Sequence, residues 1–313
     1  IAILLGILMG NAFTPRPGMM VGLDFTQQYI LKLGIIFLGI RLSFEELIKF
    51  GSIAIPLIVI CIVGVLILVK LLIKKVPISS KMSYLIAIGT SVCGATAIVA
   101  TAPVINAKKS EVAYAIANIT LFGVIAMIVY PYFAEWYFDN DALKIGLFLG
   151  TSIHETSQVA AAGLIYDQQF NSPETLNVAT VTKLIRNTFL VILIPLFAFL
   201  YNRGELKGQN YSILSIFPYF VIGFIGMIFV RNIGDQIFTT DNDSYVVWTT
   251  LIGYLKTLAT VFLTMAMAAV GISINLSELK SMGYKPFVVG LIAAITVGFI
   301  SLIYIETLIK FTI

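Results

Sequence analysis

Apolar stretches of about twenty residues, nearly free of charge, recur from one end of this chain to the other, and a stretch of that length is what a helix needs to cross a bilayer. Inside lipid every backbone N–H and C=O must be satisfied within the protein, and a helix does this locally. Reading the stretches in order gives about ten helices, over 1–12, 26–42, 52–73, 83–107, 111–134, 142–166, 174–201, 212–231, 246–275 and 286–309. The joints between them are short and polar, as in Lys74-Lys75-Val76-Pro77 and Asp139-Asn140-Asp141. The expected fold is therefore an all-α polytopic membrane protein lying in the lipid bilayer, with no inserted soluble domain.

Composition removes the other classes. The chain is 59% apolar and only 12% charged, where soluble domains carry about 25% charged residues. A water-facing surface cannot be built from so few charges, so a soluble enzyme and a nucleic-acid binder are both excluded. The basic excess, 20 Lys+Arg against 16 Asp+Glu, belongs to loops and indicates no nucleic-acid partner. Cys61 and Cys93 both lie in apolar stretches and the chain has 1 His, so neither a disulfide framework nor a metal centre is expected, and no cofactor. The apolar run from Ile1 to Ala12 is shorter than a span and lacks the marks of a signal peptide. It reads as a helix missing its beginning, which predicts eleven helices in the full chain.

If every helix crosses, Arg16, Lys70, Lys74, Lys75, Lys81, Lys144, Arg203, Lys207, Lys280 and Lys285 fall on one side. Arg41, Lys49, Lys108, Lys109, Arg231 and Lys310 fall on the other. The richer side is read as cytoplasmic. An internal echo lays KSEVAYAIANIT (109–120) over KPFVVGLIAAIT (285–296), with six identities in twelve. Those segments open the fifth and tenth helices, so they are expected to cross in opposite senses. That predicts an inverted repeat of five plus five helices, 1–134 and 142–309, a common plan for secondary transporters. A rival reading makes 83–107 and 142–166 a pair of re-entrant hairpins, and the echo of GTSV (89–92) in GTSI (150–153) competes with the longer one.

Three helices carry chemistry at depth. The fourth holds Gly89-Thr90-Ser91-Val92-Cys93-Gly94-Ala95-Thr96. Such small residues favour close helix packing, and they also suit a broken helix whose freed end faces an anion. Its expected counterpart is Gly271 and Ser273 in the ninth helix. The sixth holds Ser152-Ile153-His154-Glu155-Thr156-Ser157-Gln158, with His154, Ser157 and Gln158 on one face. Glu155 is the one carboxylate well inside a span, and an ionisable group there is a functional candidate by default. A hydrogen-bonded cluster joining helices is the bland alternative. The seventh holds Thr180, Lys183, Arg186 and Asn187 on one face. Snorkelling would explain cations near a helix end, but Arg186 lies too deep for it. Glu155 can neutralise one of the two cations, which leaves the other for an anionic substrate. His154-Glu155 is followed by Gln158 rather than a second His, so the HExxH metalloprotease pattern is not met.

Together, Gly6-Ile7-Leu8-Met9-Gly10-Asn11, LGIIFLGIRL (33–42), GTSVCGATAIVATAPVI (89–105), GTSIHETSQVAAAG (150–163) and ATVTKLIRNTFL (179–190) resemble the YeiH-type family of bacterial inner-membrane proteins. The resemblance covers nearly the whole chain. That family carries a sulfate-exporter label, usually starts with one more helix, and is grouped with the sodium/proton antiporter and bile-acid symporter folds. The resemblance implies a panel domain against a core domain, with helices four and nine as discontinuous crossing helices.

The expected function is secondary transport of a small anion, in the sulfate, sulfite or sulfonate class, with proton-coupled export. Thr90, Ser91, Gly94, Ser157, Gln158, Lys183, Arg186, Asn187, Gly271 and Ser273 are the expected substrate site, and Glu155 with His154 the expected proton carriers. The partners are then the anion, protons and lipid, with a homo-oligomer compatible. Cation/proton antiport ranks second, since helices four and nine hold no carboxylate. An intramembrane enzyme ranks last, and no GxxxxGK[ST] motif marks an ATP-driven pump.

Overall fold

Helices begin and end where the apolar runs meet polar or glycine-bearing residues. The computed structural model describes residues 2–13, 17–72, 78–103, 105–201, 219–239, 244–273 and 284–312, and every regular element among them is helical. In order these are α1 (Ala2–Ala12), α2 (Pro17–Phe25), a π turn (Thr26–Ile30), α3 (Leu31–Leu38), a 3-10 turn (Gly39–Arg41), α4 (Phe44–Leu72), α5 (Ser80–Ser91), α6 (Ala95–Thr101) and α7 (Lys109–Phe138). There follow α8 (Ala142–Ser152), α9 (Thr156–Phe170), α10 (Pro173–Thr188), α11 (Leu190–Tyr201), α12 (Phe220–Ile237), α13 (Ser244–Ser273) and α14 (Tyr284–Thr312). Ser79 starts α5 by accepting from the Met82 N–H, and Asp141 starts α8 by accepting from the Lys144 N–H.

Among the described residues, 7 helices are long and apolar enough to span a membrane, rather than about ten: Gly18–Arg41, Phe44–Leu72, Ser110–Phe138, Pro173–Ile194, Phe220–Ile237, Ser244–Ser273 and Lys285–Thr307. The chain divides into two compact units, one of Ile1–Phe50 with Tyr219–Lys280, the other of Gly51–Pro218 with Ser281–Ile313. This division does not follow the halves 1–134 and 142–309. In the first unit, Gly6 and Gly10 of α1 let the backbone of α13 approach closely, and α13 runs unbroken through Gly271 to Ser273. The expected break in the ninth helix is absent from its described part. Residues 274–275 lie outside the described residues, as do 212–218 of the eighth helix.

The shortfall of three comes from the first helix, described as only the 11 residues of α1, and from the fourth and sixth helices, which fold back on themselves in the second unit. Lys81 donates to the Asn106 carbonyl at 2.6 Å, and Gly89 packs against Ile98, so α5 and α6 run antiparallel. Ser79 meets Glu111 and Gly89 meets Ile119, so α5 runs parallel to α7. The second interruption repeats the plan. Gly146 packs on Val178 and Gly150 on Thr182, which sets α8 parallel to α10. Gly163 packs on Leu176 and Asn187 bonds Thr156, which sets α9 antiparallel to it. Each is a re-entrant hairpin followed by one long helix. The 30 residues of α7 span about 45 Å and carry the chain across between them, so the hairpins enter from opposite sides.

Two readings change with this geometry. First, α7 and α14 hold the segments 109–120 and 285–296, which were expected to run in opposite senses. Asn118 meets Pro286 and Gly290 while Tyr130 meets Gly298, so contacts advance together and the helices run the same way. The shorter echo, GTSV over GTSI, marks the equivalent positions instead. Second, the basic residues of this unit group differently. Among the described residues, Lys81, Lys108, Lys109 and Lys285 lie at the end that holds the bases of α5 and α6, and Lys144 lies at the opposite end of α7. Lys108 and Lys109 thus fall with Lys81, and Lys144 apart from it, where a chain crossing at every helix had them the other way.

Candidate functional site

The two hairpin tips are short non-helical segments between helix ends, a turn in the first and extended backbone in the second. Val92 (φ −125°, ψ −87°) and Gly94 (φ +64°, ψ −126°) turn the first. Ile153 (φ −89°, ψ 139°) and Glu155 (φ −101°, ψ 147°) turn the second. A helix that stops inside a membrane leaves its last carbonyls without partners, and in lipid no water replaces them.

Helix α10 supplies those partners. Lys183 Nζ donates to the carbonyls of Val92 (2.8 Å), Ile153 (3.0 Å) and His154. Three acceptors require three N–H donors, so the geometry is that of an ammonium. Arg186 donates from Nε to Ser91 O (2.7 Å), from Nη1 to Thr151 O (2.6 Å) and Ile153 O (3.3 Å), and from Nη2 to Thr90 O. Both side chains are 0% exposed. Two cations therefore sit at the C-terminal ends of α5 and α8, where helix dipoles favour positive charge. They staple one tip to the other.

Glu155 lies on the opposite, N-terminal side of the tips. Its carboxylate caps α9 by accepting from the Gln158 N–H, while Gln158 Oε1 accepts from the Glu155 N–H at 3.3 Å. It also accepts from Thr120 Oγ1 at 3.1 Å and from the N–H of Ala95 on the other hairpin. Gln158 Nε2 donates to Thr120 O at 3.2 Å, in space left by the missing side chain of Gly123. Asn187 Nδ2 donates to Thr156 Oγ1 at 3.0 Å.

Gly94 is needed for two reasons. Its backbone lies where L side chains rarely go, and an added Cβ would overlap Glu155 Cγ and sit 3.2 Å from Glu155 Oε1. Gly94→Ala is expected to lose about 1–3 kcal/mol through the backbone strain alone. Gly253→Ala, where an added Cβ meets nothing within 4 Å, is the control and should be nearly silent. Thermal unfolding of the purified variants compares them, and equal melting temperatures would remove the role given to Gly94.

Of the residues singled out in the sequence, Thr90, Ser91, Gly94, His154, Glu155, Ser157, Gln158, Lys183, Arg186 and Asn187 are gathered at or next to the tips. Gly271 and Ser273 are not among them. They lie in the other unit, where Gly271 packs on Gly6 and Ser273 Oγ accepts from Gln27 Nε2 at 2.7 Å. Thr120, Ser152, Thr156 and Thr182 were missed. The first lies on α7, where no ionisable residue stands near it to single it out, and the others flank residues already chosen.

A family model described as Conserved hypothetical protein 698 matches residues 1–290. A UPF0324 membrane protein of Fusobacterium nucleatum is 33% identical over 96% of this chain and 88% of its own length. A UPF0324 membrane protein of Streptococcus agalactiae serotype V is 34% identical over 92% of this chain and 83% of its own. The UPF0324 inner membrane protein YeiH of Escherichia coli (strain K12) is 33% identical over 93% of this chain and 80% of its own. No solved structure gives a significant match. The fold and site define a polytopic helical membrane protein with two re-entrant tips joined by buried cations. The chain belongs to the YeiH-type UPF0324 family, as its motifs led one to expect.

Proposed function

We propose that the protein is a secondary transporter of a small anion in the bacterial inner membrane, with the hairpin tips as its substrate site. One observation carries this reading. Two fully buried cations, Lys183 and Arg186, share the tips with a single carboxylate among the described residues, Glu155. Helix C-termini and N-termini are both present there, so their dipoles largely offset, and one positive charge stays uncompensated. A buried charge without a counterion is unfavourable by several kcal/mol, and an anion arriving from water relieves that.

The cations act in this scheme through their field. All three donors of Lys183 and four of the five of Arg186 are already directed at backbone carbonyls, so most direct contacts to the anion fall to neighbours such as Ser91, Ser152 and Asn187. Inverted hairpins entering from opposite sides give the site one approach from each face of the membrane, the geometry alternating access needs. Glu155 is the proposed proton carrier, with export the direction suggested by the family label. Sulfate, sulfite and sulfonates remain the starting panel. Cation antiport is less well supported, because the tip carbonyls that would ligate a cation are held by Lys183 and Arg186.

Reconstituted proteoliposomes test the reading. Tracer efflux of at least one small anion above empty-liposome background is expected, with a dependence on the pH gradient. No flux for any anion in the panel, alongside sodium- or potassium-dependent proton movement, would replace it with the antiport reading.

A further inference from the structure

The polar groups left over at the tips restrict which anion fits. Thr90 Oγ1, Ser91 Oγ, Ser152 Oγ, Thr182 Oγ1, Asn187 Oδ1 and His154 Nδ1 are all buried and lack a hydrogen-bond partner among the described residues. They come from α5, α8, α10 and the second tip, around the bonds made by Lys183 and Arg186. Buried polar groups in native proteins are nearly always satisfied, so a concentration of unsatisfied ones marks a place for a ligand.

Their chemistry is not uniform. The four hydroxyls can donate to an oxyanion. Asn187 is different, because beside the Nδ2 that donates one N–H to Thr156 it presents an Oδ1 that can only accept. No described group donates to it, and all three Lys183 donors and four of the five on Arg186 are directed at backbone carbonyls, so a ligand O–H is the partner this oxygen lacks. Charge adds a second restriction: with Glu155 ionised, the tips carry one uncompensated positive charge.

We infer that the substrate class is a singly charged oxyanion that bears its own O–H, the chemistry of hydrogen sulfite or hydrogencarbonate. This rests on the anion-transport reading. Sulfate at neutral pH meets neither condition, since it carries two charges and no proton. It would leave Asn187 Oδ1 unpaired and bring a charge with no counterpart. A protonated monoanion accepts from the hydroxyls, donates to Asn187 and balances the cations.

The test is binding to the purified full chain in detergent near neutral pH, read as thermal stabilisation against concentrations of hydrogencarbonate, hydrogen sulfite, nitrate and sulfate. Nitrate matches hydrogencarbonate in planar shape and in charge but has no O–H. Hydrogencarbonate or hydrogen sulfite should reach half-effect at about one-tenth the concentration nitrate needs or less, the discrimination one hydrogen bond can give. Sulfate should be weakest. Asn187→Leu should shrink the gap between hydrogencarbonate and nitrate to within about threefold. If nitrate or sulfate binds the parent chain as tightly as the protonated anions, the inference fails and the anion reading stands. If none of the four binds, both fail. Should Asn187→Leu not fold, the ranking in the parent chain decides alone.

Discussion

Arg186→Ala is expected to unfold far more readily than the parent chain, with the largest loss of stability of any single substitution at the tips. Three carbonyls, of Thr90, Ser91 and Thr151, lose their donor at once, and that of Ile153 keeps only Lys183. Each buried carbonyl left unpaired is unfavourable by about 1–3 kcal/mol, and two helix C-termini lose a compensating charge. Removing one member of a buried polar pair is typically worth about 3–5 kcal/mol, and here one side chain serves two hairpins. Arg186→Lys should recover only part of the loss. An ammonium has three donors on a flexible stem, while the planar guanidinium reaches carbonyls of α5 and α8 in one rigid fork. Thermal unfolding in detergent measures both variants against Lys183→Met. An Arg186→Ala chain that melts within a degree or two of the parent would show that the tips hold together without it.

The helices were legible because lipid imposes one rule on every span, and an apolar run of sufficient length announces it. What the sequence does not announce is whether a run crosses or turns back. Residues 83–107 and 142–166 are as long as crossing helices and almost as apolar. The signal that separates them is local, in the GTSV and GTSI segments, where helix ends are made of small hydroxylated residues. A short match between apolar helices carries little weight alone, so the longer echo in α7 and α14 was the stronger pattern. In the structure that echo joins two parallel neighbours packed through Asn118 and Gly290.

The site was legible where it is expensive. Charges at depth stand out against an apolar background, and Lys183, Arg186, Glu155 and His154 were found that way. Their partners were not, because backbone carbonyls carry no sequence identity. In the sequence, Glu155 stood as the partner of one of Lys183 and Arg186, which left the other for an anion. In the structure the carbonyls of Thr90, Ser91, Thr151, Val92, Ile153 and His154 are the partners. The same limit explains Gly271 and Ser273, which matched the fourth helix in composition but end a continuous helix in the other unit.

Glu155→Gln is expected to separate anion binding from the pH gradient. In the parent chain the carboxylate is held by Thr120 Oγ1 and by the N–H groups of Gln158 and Ala95, within the field of Lys183. Burial and these partners act on its proton in opposite senses, and a bound anion tips the balance towards protonation. By linkage, protonating Glu155 must then strengthen anion binding by the same factor. The sign follows: parent affinity should be highest at low pH, where Glu155 is neutral, and should fall as pH rises through its titration. Glutamine keeps the shape and one acceptor oxygen while fixing the charge at zero. The variant should therefore hold its affinity across the pH range, continue anion exchange, and lose accumulation driven by a pH gradient. Its tips also carry one more positive charge than the ionised parent, so sulfate should gain on hydrogencarbonate in the variant. Flux with and without an imposed gradient, and binding of the two anions at several pH values, measure these effects. If Glu155→Gln accumulates the anion under a pH gradient as the parent does, Glu155 is not the carrier, and a proton carried on the substrate itself becomes the coupling step.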